Sequence, residues 1–288
     1  MKKKHWGLII VCLLIVSLLV SGCGGNSTEK LTPEEIAEKI ITTYSETKTY
    51  KMDLNINQEM AMNSSGENVT FGIETIGNGA VDLAKKSMFI SMDMKMNVLE
   101  GPEEMKQLFA QQGAMNTSLY FMNNTMYMYI DALGAWMKQE LTEDLANMMW
   151  NQQDQMSQQI ELLKEAEIEV LKEEAVDNIP CYVVSVKVDP EKLLAQIEPQ
   201  MKQAIQASGA EAIDMDDFNI EKYDYTYWVD KETFFIRQCT FDATIDFPMT
   251  ITNEAGEEET LDNQMKMTGT VKYYDLNTDV NITLPAEA

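Results

Sequence analysis

Apolar and polar residues alternate with a period of two along most of this chain, which predicts β-strands with one buried and one solvated face. In the clearest run, residues 88–98, the even positions are apolar and the odd positions are mostly polar. A similar alternation begins at Tyr50. Strands are also predicted at about 69–83, 119–130 (a hairpin turning at Asn123-Asn124), 136–139, 168–176, 181–188, 220–229, 234–250 and 261–274.

Four segments carry a helical pattern instead. In the first, Thr32 is a predicted N-cap, Pro33 occupies the first helical position and Glu35 completes a capping box. Its apolar stripe consists of Ile36, Ile40 and Tyr44. The other helices are predicted at 102–112, with Pro102 at its first position and Gly113 as C-cap, at 142–165, and at 190–208, with a kink at Pro199.

Every connection between predicted strands is short or carries one helix. This order favours an α+β fold, in which a large curved antiparallel sheet forms an open half-barrel and helices pack over its concave apolar face.

Methionine is unusually frequent, with 22 residues, and many recur at alternate strand positions. Because residues i and i+2 of a strand share a face, several strands should present thioethers on one surface. Such flexible side chains suit a cavity for variable apolar ligands, although an ordinary core rich in methionine explains the pattern equally well. The candidate lining residues are Met52, Leu54, Ile56, Met88, Ile90, Met92, Met94, Met96, Met126 and Met128.

Two kinds of metal site, for Cu(I) and for calcium, can be considered from the sequence. Thioethers also bind Cu(I), but a strand produces Met-x-Met spacing by itself and no histidine accompanies it. The segment 214–217, Asp-Met-Asp-Asp, lacks the glycine and the distal glutamate of a calcium loop. No metal site and no cofactor is therefore predicted.

The N-terminus has the order of an export signal: three lysines at 2–4, an apolar run at 7–20 and small residues before Cys23. The sequence Val20-Ser21-Gly22-Cys23 resembles the lipobox of bacterial lipoproteins. The resemblance implies cleavage after residue 22, acylation of Cys23 and an extracytoplasmic chain anchored to the cell membrane. The alternative is a plain signal peptide with an accidental cysteine. The predicted organisation is a signal at 1–22, a lipidated tether at 23–31 and one half-barrel domain at 32–288.

Cleavage after residue 22 would limit the chemistry of the chain. His5, the only histidine, would be lost, and Arg237 is the only arginine. Histidine triads and arginine clamps are then absent, so no enzyme is predicted. Removal of three lysines and no acid changes the formal net charge from −25 to −28. Such a surface repels nucleic acid and anionic lipid.

Of the four cysteines, Cys12 lies in the signal and Cys23 is the lipidation site. Cys181 and Cys239 could form a disulfide in an oxidising compartment, or remain two small buried thiols.

The segment from Tyr225 to Gln238 combines an aromatic strand, Trp228-Val-Asp230, a Lys-x-Thr turn and a returning strand. With the strand at 179–184 and the capped first helix, it resembles the Lol-type lipoprotein carriers and the mycobacterial glycolipid-binding lipoproteins. That resemblance implies a half-barrel of about eleven antiparallel strands over an apolar cavity that binds acyl chains. Trp228 is expected to be structural.

Together these patterns predict a membrane-anchored lipoprotein that binds or carries an acyl chain or another apolar molecule in the cell envelope. The competing hypothesis is a structural or sensory envelope module with a filled core, acting through its acidic surface. The expected contacts are a membrane through the N-terminal lipid and an apolar ligand. The patterns identify no protein partner.

Overall fold

The computed structural model describes residues 31–64, 67–111, 113–143, 166–194, 218–252 and 258–286, together with residues 146 and 163. Two helices are described in full: α1 (Pro33–Ser45) and α2 (Glu103–Ala110). Eleven strands make up most of the rest. They are β1 (Thr49–Ser64), β2 (Glu67–Asp82), β3 (Ser87–Glu100), β4 (Met115–Met122), β5 (Thr125–Ile130), β6 (Ala135–Glu140), β7 (Glu167–Val176), β8 (Ile179–Lys187), β9 (Asn219–Asp230), β10 (Ile236–Thr252) and β11 (Glu258–Tyr274).

All eleven strands belong to one sheet, in the order β6-β5-β4-β3-β2-β1-β11-β10-β9-β8-β7. Every pair in this sheet is antiparallel. The sheet is not closed, because β6 and β7 form its two edges. The expected α+β fold with a large, open antiparallel sheet is confirmed.

The topology consists of two meanders that meet in the middle of the sheet. Strands β1–β6 follow one another outward on one side, and β11–β7 do so on the other. The seam is the pairing of β1 with β11, from Lys51 opposite Tyr274 to Asn63 opposite Asp262. The chain between β6 and β7, which includes the predicted helix at 142–165, therefore leads from one edge of the sheet to the other.

Helix α1 covers one end of the inner face of the sheet. The Thr32 Oγ1 atom accepts from the Glu35 amide at 3.2 Å, and the Glu35 carboxylate accepts from the Thr32 amide at 2.8 Å. This is the predicted capping box, and the predicted stripe of Ile36, Ile40 and Tyr44 is buried. Burial of an apolar stripe against a sheet, rather than intrinsic propensity, stabilises such a helix.

The turns show where local sequence patterns succeed and fail. Asn123 and Asn124 adopt φ of 51° and 56°, as a tight hairpin turn requires, so the predicted hairpin is confirmed. The predicted Gly113 cap is wrong, because α2 ends at Ala110 with Gln111 as its cap. Gln111 keeps right-handed helical dihedrals, and its amide donates to the Leu108 and Phe109 carbonyls without a left-handed residue. Pro102 is the N-cap rather than the first helical residue.

Candidate functional site

The structure brings the ten candidate lining residues onto one face of the sheet. Residues directly opposite each other on antiparallel strands share a face, so the register assigns this face without further assumption. Met88 lies opposite Phe121, which lies opposite Met126. In the same way, Ile90 lies opposite Leu119, which lies opposite Met128. The face covered by α1 is this same one, and it is called the inner face below.

Glycines on β2 let the methionine side chains of the flanking strands close over that strand. Gly79 lies between Met52 and Ile90, and Gly77 lies between Leu54 and Met92. A Cβ atom at Gly79 would be 2.9 Å from Met52 Cε, and one at Gly77 would be 3.1 Å from Met92 Cγ. At Gly77 and Gly79 the inner surface of β2 is therefore formed by side chains of β1 and β3.

The inner face is buried unevenly along its length. One half, the core end, contains the fully packed residues around Tyr50, Val81, Met88, Phe121 and Tyr227, against which α1 docks. Met88 therefore belongs to the packed core and does not line an open surface.

The opposite half, the methionine end, surrounds Met60, Met94, Met96, Met115 and Met265. There Met94 lies opposite Met115, and Met60 lies opposite Met265. These side chains are half-buried or exposed, with Met96 at 41% exposure. The thioethers thus line a surface that the described part of the chain leaves accessible.

An open hollow of about 760 Å³ lies at this end, near the tips of β1, β2, β10 and β11. Met62 and Phe247 supply apolar walls, while Asn63, Asp246 and Gln264 supply polar ones. Most of its lining residues occupy outer-face positions in the register, so the hollow lies chiefly on the outer side of the sheet.

Charged side chains are missing from a large part of the inner face. Among the described residues of β1–β6, β10 and β11, the only Asp, Glu, Lys or Arg residues at inner-face positions of the strand register are Glu67 and Glu259, at the tips of β2 and β11. The outer face of the same strands carries ionisable residues such as Lys51, Asp53 and Asp242. In these described strands, most ionisable residues thus lie on the opposite side of the sheet from the apolar surface.

Tyrosines of β9 add hydroxyl groups to the inner face, and the sequence interpretation missed them. Tyr223, Tyr225 and Tyr227 occupy alternate positions of β9, a spacing that could have identified them. The Tyr225 hydroxyl donates to the Tyr223 hydroxyl at 2.5 Å. Burial raises the pKa of Tyr225 and Tyr227 above the usual range and that of Tyr50 to about 12. These phenols therefore stay neutral at physiological pH.

The two remaining cysteines are free thiols, so the disulfide between Cys181 and Cys239 is not formed. Cys239 lies on the inner face opposite Tyr227, whereas Cys181 lies opposite Asp230 on the outer face. Strand β9 separates them, and their partners on β9 are three residues apart, so their Cα atoms lie more than about 10 Å apart, too far for a disulfide. Burial raises the pKa of Cys239 to about 12 and also raises that of Cys181.

The Trp-x-Asp turn between β9 and β10 is a structural anchor for α1. Asp230 accepts from the Glu232 and Thr233 amides at 2.9 and 3.2 Å, and from Arg237 Nη2 at 2.7 Å. The Thr43 hydroxyl of α1 donates to the Thr233 carbonyl at 2.8 Å. The only arginine is thereby engaged in an ion pair away from the methionine end. Trp228 is half-buried on the outer face, opposite Val183, consistent with the structural role expected for it.

Several predictions fall on residues that the structure does not describe. They are the lipidation site Cys23, most of the helix at 142–165, the helix at 190–208 beyond residue 194, and most of the acidic segment at 211–219. Within the described ranges, no helix combines the length and apolar character needed to cross a membrane. In the same ranges, no group of three or more His, Cys, Asp or Glu side chains could hold a metal ion.

The model of a family described as "Family of unknown function (DUF6612)" matches residues 32–288. None of the curated proteins compared with the chain matches it.

Similar solved structures include LprF from Mycobacterium bovis, at 11% identity and a TM-score of 0.44, over 88% of this chain and 97% of that one. The Mycobacterium tuberculosis lipoprotein LppX is similar at 7% identity and a TM-score of 0.40, over 88% of this chain and all of the other. A putative outer membrane lipoprotein-sorting protein domain from Vibrio parahaemolyticus is similar at 8% identity and a TM-score of 0.24, over 87% and 95% of the two chains. A mycobacterial lipoprotein and a lipoprotein-sorting domain are thus among the similar structures, as the sequence resemblance predicted. At these identities, no ligand or partner is carried over from them.

Proposed function

This chain belongs to the DUF6612 family, and we propose that it is an envelope lipoprotein whose inner sheet face binds an uncharged, acyl-chain-bearing molecule. Cys23 would carry the lipid anchor, residues 23–31 the tether and residues 32–288 the binding domain. The protein would act by binding and carrying, without covalent chemistry. Its place would be outside the cytoplasm, at the membrane surface.

The scarcity of charge on the inner face of β1–β6, β10 and β11, where Glu67 and Glu259 at the strand tips are the only charged residues among those described, is the observation that carries this proposal. A charged group placed against such a wall loses its hydration and finds no counter-ion, which costs several kcal/mol. An alkyl chain gains roughly 0.8 kcal/mol for each methylene that it buries. The wall therefore selects for long, neutral chains.

Two further features support the same ligand class. Methionine side chains can adapt to chains of different shape, and those of the methionine end are half-buried or exposed. The Tyr223 and Tyr225 hydroxyls offer neutral hydrogen bonds to an ester, ether or hydroxyl group on an otherwise apolar surface.

A pair of variants at adjacent positions of β3 tests this proposal. Met94 lies on the inner face and Lys95 on the outer face, so Met94→Asp and Lys95→Asp place the same carboxylate on opposite sides of one strand. With delipidated full-length protein and a fluorescent long-chain methyl ester as the probe, Met94→Asp should weaken binding at least tenfold. Lys95→Asp should bind like the parent protein.

The same probe as a free carboxylate, measured at pH 8, should bind at least tenfold more weakly than the ester. If neither probe binds and native mass spectrometry shows only the protein mass, the binding proposal fails and the structural or sensory module takes its place.

Anchoring is tested separately: Cys23→Ala should move the protein from the membrane fraction to the soluble one.

A further inference from the structure

The outer face of the sheet carries an aromatic surface that the half-barrel fold does not require. Five aromatic residues of adjacent strands lie on this face, and all are half-buried, so each retains contact with solvent. They are Phe89, Tyr120, Tyr127, Tyr129 and Trp136, called the aromatic platform below. Ring centroids are 4.6 Å apart for Phe89 and Tyr120, 5.8 Å for Tyr120 and Trp136, and 5.3 Å for Tyr129 and Trp136.

A polar groove continues directly from this platform across the outer face. Ser91 follows Phe89 on the same face of β3, and Ser118 precedes Tyr120 on β4 in the same way. The groove is open, holds about 580 Å³ and is lined chiefly by Asp53, Asn55, Asn78, Ser91, Asp93 and Thr270. A second open groove of about 510 Å³ shares Asn55 and Thr270 and extends it to Thr226 and Thr240 on β9 and β10.

The groove mixes hydrogen-bonding groups with an apolar contact. Ile76, which is 60% exposed, lies opposite both Asn55 and Asp93. Asp93 accepts from Asn116 Nδ2 at 2.7 Å through its Oδ1 atom. Carboxylates, amides and hydroxyls together offer both acceptors and donors along the groove.

From this arrangement we infer that the outer face is a binding site for an uncharged glycan chain. Sugar rings present apolar C–H faces, which stack on the negative faces of aromatic rings. Their edges carry hydroxyl groups, which act as donor and acceptor and match Asp, Asn, Ser and Thr side chains. From β3 to β9 the groove crosses six neighbouring strands, or about 24 Å, which suits a chain of several sugars.

The charge of the groove separates this ligand from other polymers. Asp53, Asp93, Asp224 and Asp242 line the two grooves, against Lys222 and Lys272. Lys222 is already paired with Asp242 at 2.6 Å. A polyanion such as nucleic acid needs a row of free cations, which these grooves do not provide. A neutral glycan needs none.

Isothermal titration with hexasaccharides tests the inference on the intact protein, independently of the inner face. The probes are a β-1,4-linked N-acetylglucosamine hexamer, cellohexaose and maltohexaose. At least one should bind the parent protein. Trp136→Ala should weaken that binding about tenfold, whereas Trp136→Phe, which keeps a stacking ring, should weaken it by less than about threefold. Asp93→Asn, which changes no ring, provides a second variant and should also weaken binding.

Met94→Asp is the matched control, because it alters the opposite face and should leave glycan affinity unchanged. The inference is overturned if none of the three hexamers binds, or if the Trp136 and Asp93 variants bind like the parent protein. It is also overturned if Trp136→Ala instead abolishes binding to phosphatidylcholine vesicles, because the platform would then contact a bilayer. Equal thermal melting of the variants shows that these losses arise from the site.

Discussion

The two halves of the inner face are built from the same strands but from different side chains. At the core end, aromatic and β-branched residues such as Phe235 and Val229 are fully buried under α1. At the methionine end, flexible thioethers such as Met94 and Met115 are half-buried or exposed. Rigid side chains specify a single packing, whereas methionine tolerates several. One sheet thus provides a stable half and an adaptable half.

The strongest test of this comparison removes a ring at the core end. Phe235 is completely buried, 5.6 Å from the Tyr44 ring and 6.3 Å from the Tyr273 ring, measured between centroids. Phe235→Ala should lower the free energy of unfolding by about 3–5 kcal/mol, because it leaves a large cavity. Urea denaturation followed by circular dichroism measures the change. A loss below 1 kcal/mol would show that this end is not the stable half.

The second test breaks the turn that holds α1. Burial disfavours the charged form of Asp230, but the Arg237 guanidinium and the Glu232 and Thr233 amides outweigh it and hold the pKa of Asp230 below its usual value. Asp230→Ala should cost about 2–4 kcal/mol, since the partly buried Arg237 loses its partner.

The pH dependence of stability follows from the same pKa. A carboxyl group with a lowered folded-state pKa contributes its stabilisation above its unfolded pKa of about 3.9, and this is lost as the pH falls below that value. Denaturation midpoints between pH 7 and pH 3 should therefore fall more for the parent protein than for Asp230→Ala. Parallel curves would contradict the role of this carboxylate.

The third test weakens helix α1, which covers the core end, without replacing a core residue. Thr32→Ala removes the side-chain cap of α1 and should cost about 1 kcal/mol. Thr32→Ser keeps the hydroxyl and should restore most of the loss. Thermal melting of the three proteins gives the comparison, and an equal loss for Ala and Ser would mean that the cap hydrogen bond is not the cause.

The smallest effect is expected at the methionine end. Met96→Ala removes a side chain that is already 41% exposed and should change stability by less than about 1 kcal/mol. The same urea experiment, run beside Phe235→Ala, compares the loss of unfolding free energy at the two ends directly. Similar losses at both positions would remove the distinction between a stable and an adaptable half.

Local patterns predicted the elements well because each strand has its own alternation. The even positions of β1 and β3 and the capped start of α1 could be assigned from their own residues. The pairing of β1 with β11 could not, since no local pattern records which distant strand lies alongside. Whether the two thiols pair could not be predicted from the sequence for the same reason, because only the register shows that Cys181 and Cys239 lie on opposite faces of the sheet.

The aromatic platform escaped the sequence interpretation for a different reason. The segment 119–130 is apolar or aromatic at almost every position, so alternation does not distinguish its two faces. Only the register separates Met126 and Met128 on the inner face from Tyr127 and Tyr129 on the outer one. A strand with two non-polar faces is therefore a signal to look for a second surface.

The central seam between β1 and β11 also has a consequence for how the chain folds. The paired residues lie 199 to 223 positions apart, from Asn63 opposite Asp262 to Lys51 opposite Tyr274, so this contact can form only after almost the whole chain is available. Contacts of such long range slow folding, because a large loop must first be closed. Until then, β1 and β11 each present an unpaired edge that can recruit other chains. A nascent chain interrupted before residue 258 would lack the strand that joins the two meanders, and we expect it to aggregate rather than form half of the protein.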